Sequence, residues 1–220
     1  MSKKYDFLNH LLSLNIDKLW RKKAIRILSG FNPARIIDIA TGTADFAIAA
    51  CKLNPGQITG IDISQGMLDI GRQKVKKKNL EGIIELVLAD SEELPFGSNC
   101  FDAAICSFGV RNFETLEKGL KEAYRVLNEN GVFVILEFSK PGKAPFKQVY
   151  NFYFKKILPA IGRVVSKDSS AYSYLPDSVD AFPSGIGFID ILKKAGFVEN
   201  KMVPLTFGIA TIYICKKSKT

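Results

Sequence analysis

The sequence predicts a single α/β domain: a mostly parallel seven-stranded sheet, covered by helices and finished by a C-terminal antiparallel hairpin. Three observations carry this. Short apolar runs rich in β-branched residues alternate with segments of helical period. No Pro/Ser-rich linker interrupts the alternation. A chain of 220 residues, 47% hydrophobic and 24% charged, fits one globular unit with an ample core.

Taken in order, residues 1–30 read as an N-terminal helical lid, with the aromatic segment Tyr5 to Trp20 at its heart. Five strands follow: Arg35 to Ala40, Gln57 to Asp62, Glu85 to Ala89, Asp102 to Cys106 and Val132 to Phe138. Each is short and largely apolar, as strands buried on both faces are. Between them Asp45 to Leu53, Ser64 to Lys78 and Phe113 to Leu127 read as helices, with Ser64 as an expected N-cap and Asn128 to Gly131 as a turn. Residues 140–185 form an expected helical and loop insertion on the substrate side. Phe188 to Ala195 reads as a helix ended by Gly196, and Val198 to Leu205 with Gly208 to Cys215 as the closing hairpin.

Composition narrows the classes. No run reaches the roughly 18 uncharged apolar residues of a membrane span, and the N-terminus MSKKYDFLNHLL lacks a signal core and cleavage site, so a soluble intracellular protein is expected. Cys51, Cys100, Cys106 and Cys215 show no CxxC pairing and the one histidine, His10, is remote from them, so neither zinc nor a disulfide framework is indicated. The formal charge of +9, with lysines clustered at 74–78 and again between 143 and 167, is either a solvated face or a surface for polyanions.

The chemistry begins where the first strand turns into a helix, at Asp38-Ile39-Ala40-Thr41-Gly42-Thr43-Ala44-Asp45. Small residues there let a ligand approach the backbone. Asp62 closes the second strand twenty residues after Gly42, where a carboxylate can accept both hydroxyls of a ribose. A dinucleotide would want G-x-G-x-x-G under its pyrophosphate, whereas Asp45 here would repel one. S-adenosyl-L-methionine carries no phosphate but has an ammonium and a sulfonium, and acids such as Asp38 suit those cations. Asp90, in Ala89-Asp90-Ser91-Glu92-Glu93, ends the third strand within reach of an adenine edge. Any one of these carboxylates is compatible with an ordinary loop acid, whereas three at successive strand ends point to a nucleoside cofactor.

The segments YDFLN, LWR, TGTAD, GIDISQGML, LPF, FD, SFGVRNF, YRVL, LEFSKP and YSYLP, which span nearly the whole chain, resemble the quinone-biosynthesis C-methyltransferase family. SFGVRN, LEFSKP and Tyr172-Ser173-Tyr174-Leu175-Pro176 are the narrow signatures; TGTAD and the carboxylates indicate only methyltransferases in general. The resemblance implies a Rossmann-like class I S-adenosylmethionine-dependent methyltransferase fold. It also implies cofactor contacts from Gly42, Thr43, Asp62, Met67 in the GML segment, Asp90, Ser91 and Ser107, beside Asp38. Ala44 stands where many members have glycine, and would crowd the cofactor if its φ were positive. His10 stands where a polar residue such as Asp is expected, and the chain starts almost directly at Tyr5-Asp6, so an incomplete lid is expected.

The implied reaction is attack of a quinol ring carbon on the sulfonium methyl, which requires a neighbouring hydroxyl to lose its proton. Arg111 and Asn112 are the expected stabilisers of that quinolate, and Tyr172 and Tyr174 are expected to hold the ring. Arg111 is too weak an acid to serve as the base, which leaves water, His10 or a tyrosine. The aromatic and basic segment Ala144 to Val165 reads as a tunnel for a polyprenyl tail, a contact with the bilayer, or a core or homodimer surface. Demethylmenaquinol is favoured over a methoxy-polyprenyl-benzoquinol because no targeting extension is evident. The other readings are a methyltransferase on RNA or a small soluble acceptor, and a non-catalytic cofactor-binding module. The absence of an NPPY-like motif disfavours amino methylation, and the intact SFGVRNF and LEFSKP segments disfavour a dead module; no nucleic-acid partner is expected.

Overall fold

The computed structural model describes residues 16–142, 144, 145, 148 and 177–219. Seven strands form one sheet: β1 (Arg35–Ile39), β2 (Gln57–Asp62), β3 (Ile84–Leu88), β4 (Phe101–Ser107), β5 (Leu127–Phe138), β6 (Val198–Leu205) and β7 (Ala210–Lys216). Their order across the sheet is β3-β2-β1-β4-β5-β7-β6. The first five run parallel, and β7 lies antiparallel to both β5 and β6.

Alternation along the strands explains why both faces are covered. Ile36, Ile58, Ile105, Val134 and Ile212 face one hydrophobic layer, while Ile37, Ile61, Ala104, Phe133 and Tyr213 face the other. The helices α2 (Asp45–Ala50), α3 (Gln65–Lys77), α4 (Leu116–Val126) and α5 (Ile186–Lys194) connect or flank the strands. Helix α1 (Asp17–Leu28) spaces Trp20, Ala24 and Leu28 four apart, so one stripe is buried in the first layer. Over this stretch of the expected lid the apolar stripe of the helix is part of the core. Trp20 Nε1 also donates to Thr206 Oγ1 at 2.8 Å, tying α1 to the β6–β7 turn.

Several local expectations shift. Strand β5 begins at Leu127, ahead of the expected turn, because Leu127 pairs with Phe101 before the register breaks and resumes at Ala103 and Val132. The turn residues bulge out of the ladder, with Asn130 at φ +61°. Helix α4 starts at Leu116, since a 3₁₀ turn over Val110–Asn112 intervenes. Ser64 occupies the N-cap position of α3 but makes no side-chain cap bond; its amide instead donates to Asp62 Oδ1 at 2.8 Å.

Candidate functional site

The chain winds outward from β1 through β2 to β3, then returns past β1 to begin β4. The carboxyl ends of β1 and β4 thus form a switch point, the place where open α/β sheets hold ligands. A cavity of about 510 Å³ opens there. Its lining includes Asp38, Gly42, Thr43, Asp62, Met67, Asp90, Ser91 and Ser107, residues brought together from four successive strand ends. Asn112 lines the same cavity.

Asp38 is 1% exposed. Its Oδ2 accepts the Thr41 hydroxyl at 2.6 Å and the Ala47 amide at 3.0 Å, which folds the turn back onto the strand. Oδ1 is buried with no hydrogen-bond partner. Burial pushes the Asp38 carboxyl up to about 7, against the lowering effects of those two bonds and of the Arg21 charge. Asp62 accepts the amides of Gly42 and Ser64, each at 2.8 Å, so it fixes the glycine turn as well as facing the cavity. Burial raises its carboxyl too, and these amides oppose the rise. Gly42 sits at φ +57°, a conformation that favours glycine. Thr43 accepts from Lys74 Nζ at 2.5 Å, and Lys74 also pairs with Asp45 at 2.9 Å, so α3 is pinned to the turn.

Ala44 does adopt positive φ, at +66°. The crowding expected for that case does not arise: Ala44 is fully buried, it is not among the lining residues, and it packs toward Gly71 of α3, where an added Cβ would lie 3.4 Å from the Ala44 methyl.

Arg111 lies just beyond β4 and outside the lining of the first cavity. Its side chain is fully buried and its Nη1 pairs with Glu137 Oε1 at 2.7 Å. It lines a second, more apolar cavity of about 430 Å³ with Val110, Phe113, Ser178 and Phe182. Burial raises the Glu137 carboxyl, and the Arg111 guanidinium opposes that rise. Phe113 borders both cavities. His10, Tyr172, Tyr174 and nearly all of Ala144 to Val165 lie outside the described residues.

Sequence reasoning missed Glu137, although an acid at the end of the apolar run VFVILEF was a signal of a buried partner. It also missed Arg21, which lines the cavity from α1 and pairs with Asp17. Among the described residues no cluster of His, Cys, Asp and Glu is placed to hold a metal, and no helix is long and apolar enough to cross a membrane. The cysteines Cys51, Cys100, Cys106 and Cys215 are free.

The donor set fits S-adenosyl-L-methionine. Two buried polar atoms in lining residues, Asp38 Oδ1 and Ser107 Oγ, lack protein partners. Buried polar groups are normally hydrogen-bonded, so these two call for a ligand or water. Carboxylates surround them, which suits a cationic nucleoside and disfavours a pyrophosphate.

A sheet of this order with an acidic cavity at its switch point has the fold of the class I S-adenosylmethionine-dependent methyltransferases. The ubiE/COQ5 methyltransferase family matches residues 1–217, and the chain belongs to that family. It is 50% identical over 214 residues to a demethylmenaquinone methyltransferase of Bacteroides fragilis, covering 97% of this chain and 87% of that one. It is 45% identical over 216 residues to the ubiquinone/menaquinone biosynthesis C-methyltransferase UbiE of Geobacter sp. strain M21, covering 97% and 92%. Among solved structures, a SAM-dependent methyltransferase from Aquifex aeolicus superposes with TM-score 0.61 at 17% identity, covering 88% of each chain. The [4+2]-cyclase SpnF superposes with TM-score 0.62 at 16% identity, covering 85% of this chain and 75% of that one. Such distant likenesses show the fold alone, and the cyclase illustrates that the fold does not fix the reaction.

Proposed function

We propose that this enzyme transfers a methyl group from S-adenosyl-L-methionine to a ring carbon of a polyprenylated quinol of the demethylmenaquinol type. The observation that carries the reading is the acidic switch-point cavity bordered by the SFGVRNF loop. The choice of acceptor is supported by the 50% identity to a relative named for demethylmenaquinone.

In this reading Asp62 receives the ribose hydroxyls, Asp90 and Ser91 meet the adenine, and Met67 packs beside them. Asp38, Thr43 and Ser107, with the close approach that Gly42 permits, hold the methionine end. The bound cofactor supplies an electrophilic methyl on a sulfonium. The residues around the acceptor must favour its deprotonated form, because the ring carbon becomes a competent nucleophile only then. Asn112 does this from the cavity wall and Arg111 from behind the same loop, while Tyr172 and Tyr174 hold the ring. The segment Ala144 to Val165 receives the polyprenyl tail, at the face by which the protein docks on the membrane surface or pairs as a homodimer.

A second reading is methylation of a methoxy-polyprenyl-benzoquinol, since the Geobacter relative is named for ubiquinone as well as menaquinone biosynthesis. Transfer of labelled methyl to short-tailed demethylmenaquinol and to the matching benzoquinol, both kept reduced, with RNA as control, separates the readings. Label in the naphthoquinol is the expected result. Label in the benzoquinol alone would move the assignment to the second reading, and label in neither quinol would refute the assignment.

A further inference from the structure

We infer that Glu137 is a positioning residue for methyl transfer: through its buried ion pair with Arg111 it sets the loop Phe108–Phe113, the wall shared by the two cavities. The inference rests on the methyl-transfer reading and adds a residue to it.

Both side chains of the pair are 0% exposed, with Nη1 and Oε1 2.7 Å apart. Taking a carboxylate and a guanidinium out of water is costly, and apolar side chains of like volume often serve stability as well or better. Stability alone is therefore a poor reason to keep the pair, and its geometry supplies another. Glu137 Oε1 accepts Arg111 Nη1 and also the Phe138 amide, at 2.8 Å, while Oε2 faces the Arg111 amide at 3.4 Å. Arg111 Nη1 donates in addition to the Phe108 carbonyl at 2.7 Å, and the Asn112 side-chain amide reaches the same carbonyl at 3.3 Å. One carboxylate at the end of β5 thus secures a guanidinium that ties Arg111 back to the Phe108 carbonyl at the start of the loop.

The loop needs such a tie. Phe108 holds φ +60°, a region that non-glycine residues seldom adopt. Gly109 is pressed against the turn after β1 so closely that a Cβ there would lie 2.6 Å from the Ala40 methyl and 2.8 Å from Cys106 Sγ. From this loop Phe108, Gly109, Asn112 and Phe113 face the first cavity, and Val110, Arg111 and Phe113 face the second. A small displacement would move the boundary between the cofactor and its acceptor, and misplacement of reacting groups by about 1 Å is enough to slow a transfer. Glu137 lines neither cavity, so it acts through Arg111 and is not itself a base for the quinol.

The chain carries its own reporter. Its one tryptophan, Trp20, lies 6.3 Å from the Phe108 ring and 6.1 Å from Phe138, and those two phenylalanines stack at 4.4 Å. Movement of the loop changes the surroundings of that indole.

The test compares wild type with Glu137→Asp, Glu137→Gln, Arg111→Met and the double variant Glu137→Gln/Arg111→Met. It reads kcat and KM for the quinol, cofactor affinity by calorimetry, thermal midpoint and Trp20 emission. Glu137→Asp keeps the charge but shortens its reach, and the double variant removes both charges, so both remain informative if Glu137→Gln fails to fold. The expected result for Glu137→Asp is a fall in kcat of about 10- to 100-fold, cofactor affinity within about threefold of wild type, and a shift in Trp20 emission. The double variant should be no slower than Arg111→Met within about twofold, because the two residues act as one unit. A folded Glu137→Asp with wild-type kcat and emission would overturn the inference, as would losses that multiply in the double variant or a change confined to the thermal midpoint. A wild type that methylates no quinol refutes the acceptor reading separately. Glu137→Asp is then judged on Trp20 emission, and an unchanged spectrum overturns the loop-setting role.

Discussion

Asp38 concentrates the physical problem of the site in one side chain. Its Oδ2 is fully used in folding the glycine turn, and its Oδ1 is buried without a partner, so the ionised form lacks solvation until a cation arrives. With its carboxyl raised to about 7, the folded protein retains a proton that the unfolded chain releases near its ordinary value of 3.8. A folded-state pKa raised in this way gives a stabilising contribution that is fully present below the unfolded value and is lost as pH rises through the folded one. Asp38→Asn should therefore gain thermal stability relative to wild type between pH 5 and 8, by up to about 4 kcal/mol at the alkaline end. Cofactor affinity should move the opposite way in the wild type, rising about tenfold from pH 6 to pH 8 as Asp38 ionises, and the asparagine variant should abolish this rise. Calorimetric titration and thermal melts at the two pH values check both signs. A flat wild-type affinity would remove Asp38 from contact with the bound cation.

At the scale of elements, the sequence was most legible where periodicity and burial agree. Strands β1 and β2 fall within a residue of their expected limits, because Ile36 to Ile39 and Ile58 to Ile61 must be covered on both faces. Legibility fails where tertiary contacts override local signals. Asn128 to Gly131 has the composition of a turn, yet the ladder holds Leu127 on one side and Val132 on the other, so the turn becomes a bulge inside β5. Ser64 does occupy the N-cap position of α3, but without a side-chain cap bond, while its amide donates to the Asp62 carboxylate. Crowding by the Ala44 methyl was expected only for a positive φ; the φ is positive, yet the methyl lies toward Gly71 on α3 and outside the cavity lining. The strand-end carboxylates of the site could be read from spacing alone, since β–α repetition fixes where each strand must end. The Arg111–Glu137 pair could not, because the parallel pairing of β4 with β5 brings together residues that lie far apart in the chain.

At the scale of the whole molecule, the +9 charge and the polyprenylated acceptor have to be considered together. Lys76, Lys77 and Lys78 are exposed at the end of α3, and no membrane-crossing helix occurs among the described residues. A surface-docked protein reaching an acceptor dissolved in the bilayer should cosediment with anionic liposomes at low salt and be released at about 0.5 M salt, where charge attraction is screened beyond a few ångströms. Equal partitioning at both salt levels, or none, would count against docking by charge. The central claim is that carboxylates at successive strand ends of one switch-point cavity hold the nucleoside of S-adenosyl-L-methionine. Calorimetric titration of that cofactor into wild type, Asp62→Asn and Asp90→Ala tests it most directly. Asp90 is the cleaner probe, being exposed, with its carboxylate accepting the Glu92 amide at 2.8 Å and taking no part in the glycine turn. Loss of a charge-assisted hydrogen bond is expected to weaken binding by roughly 10- to 100-fold in each variant, with the fold intact by circular dichroism. Wild-type affinity in both variants would contradict the account and place the cofactor elsewhere on the molecule.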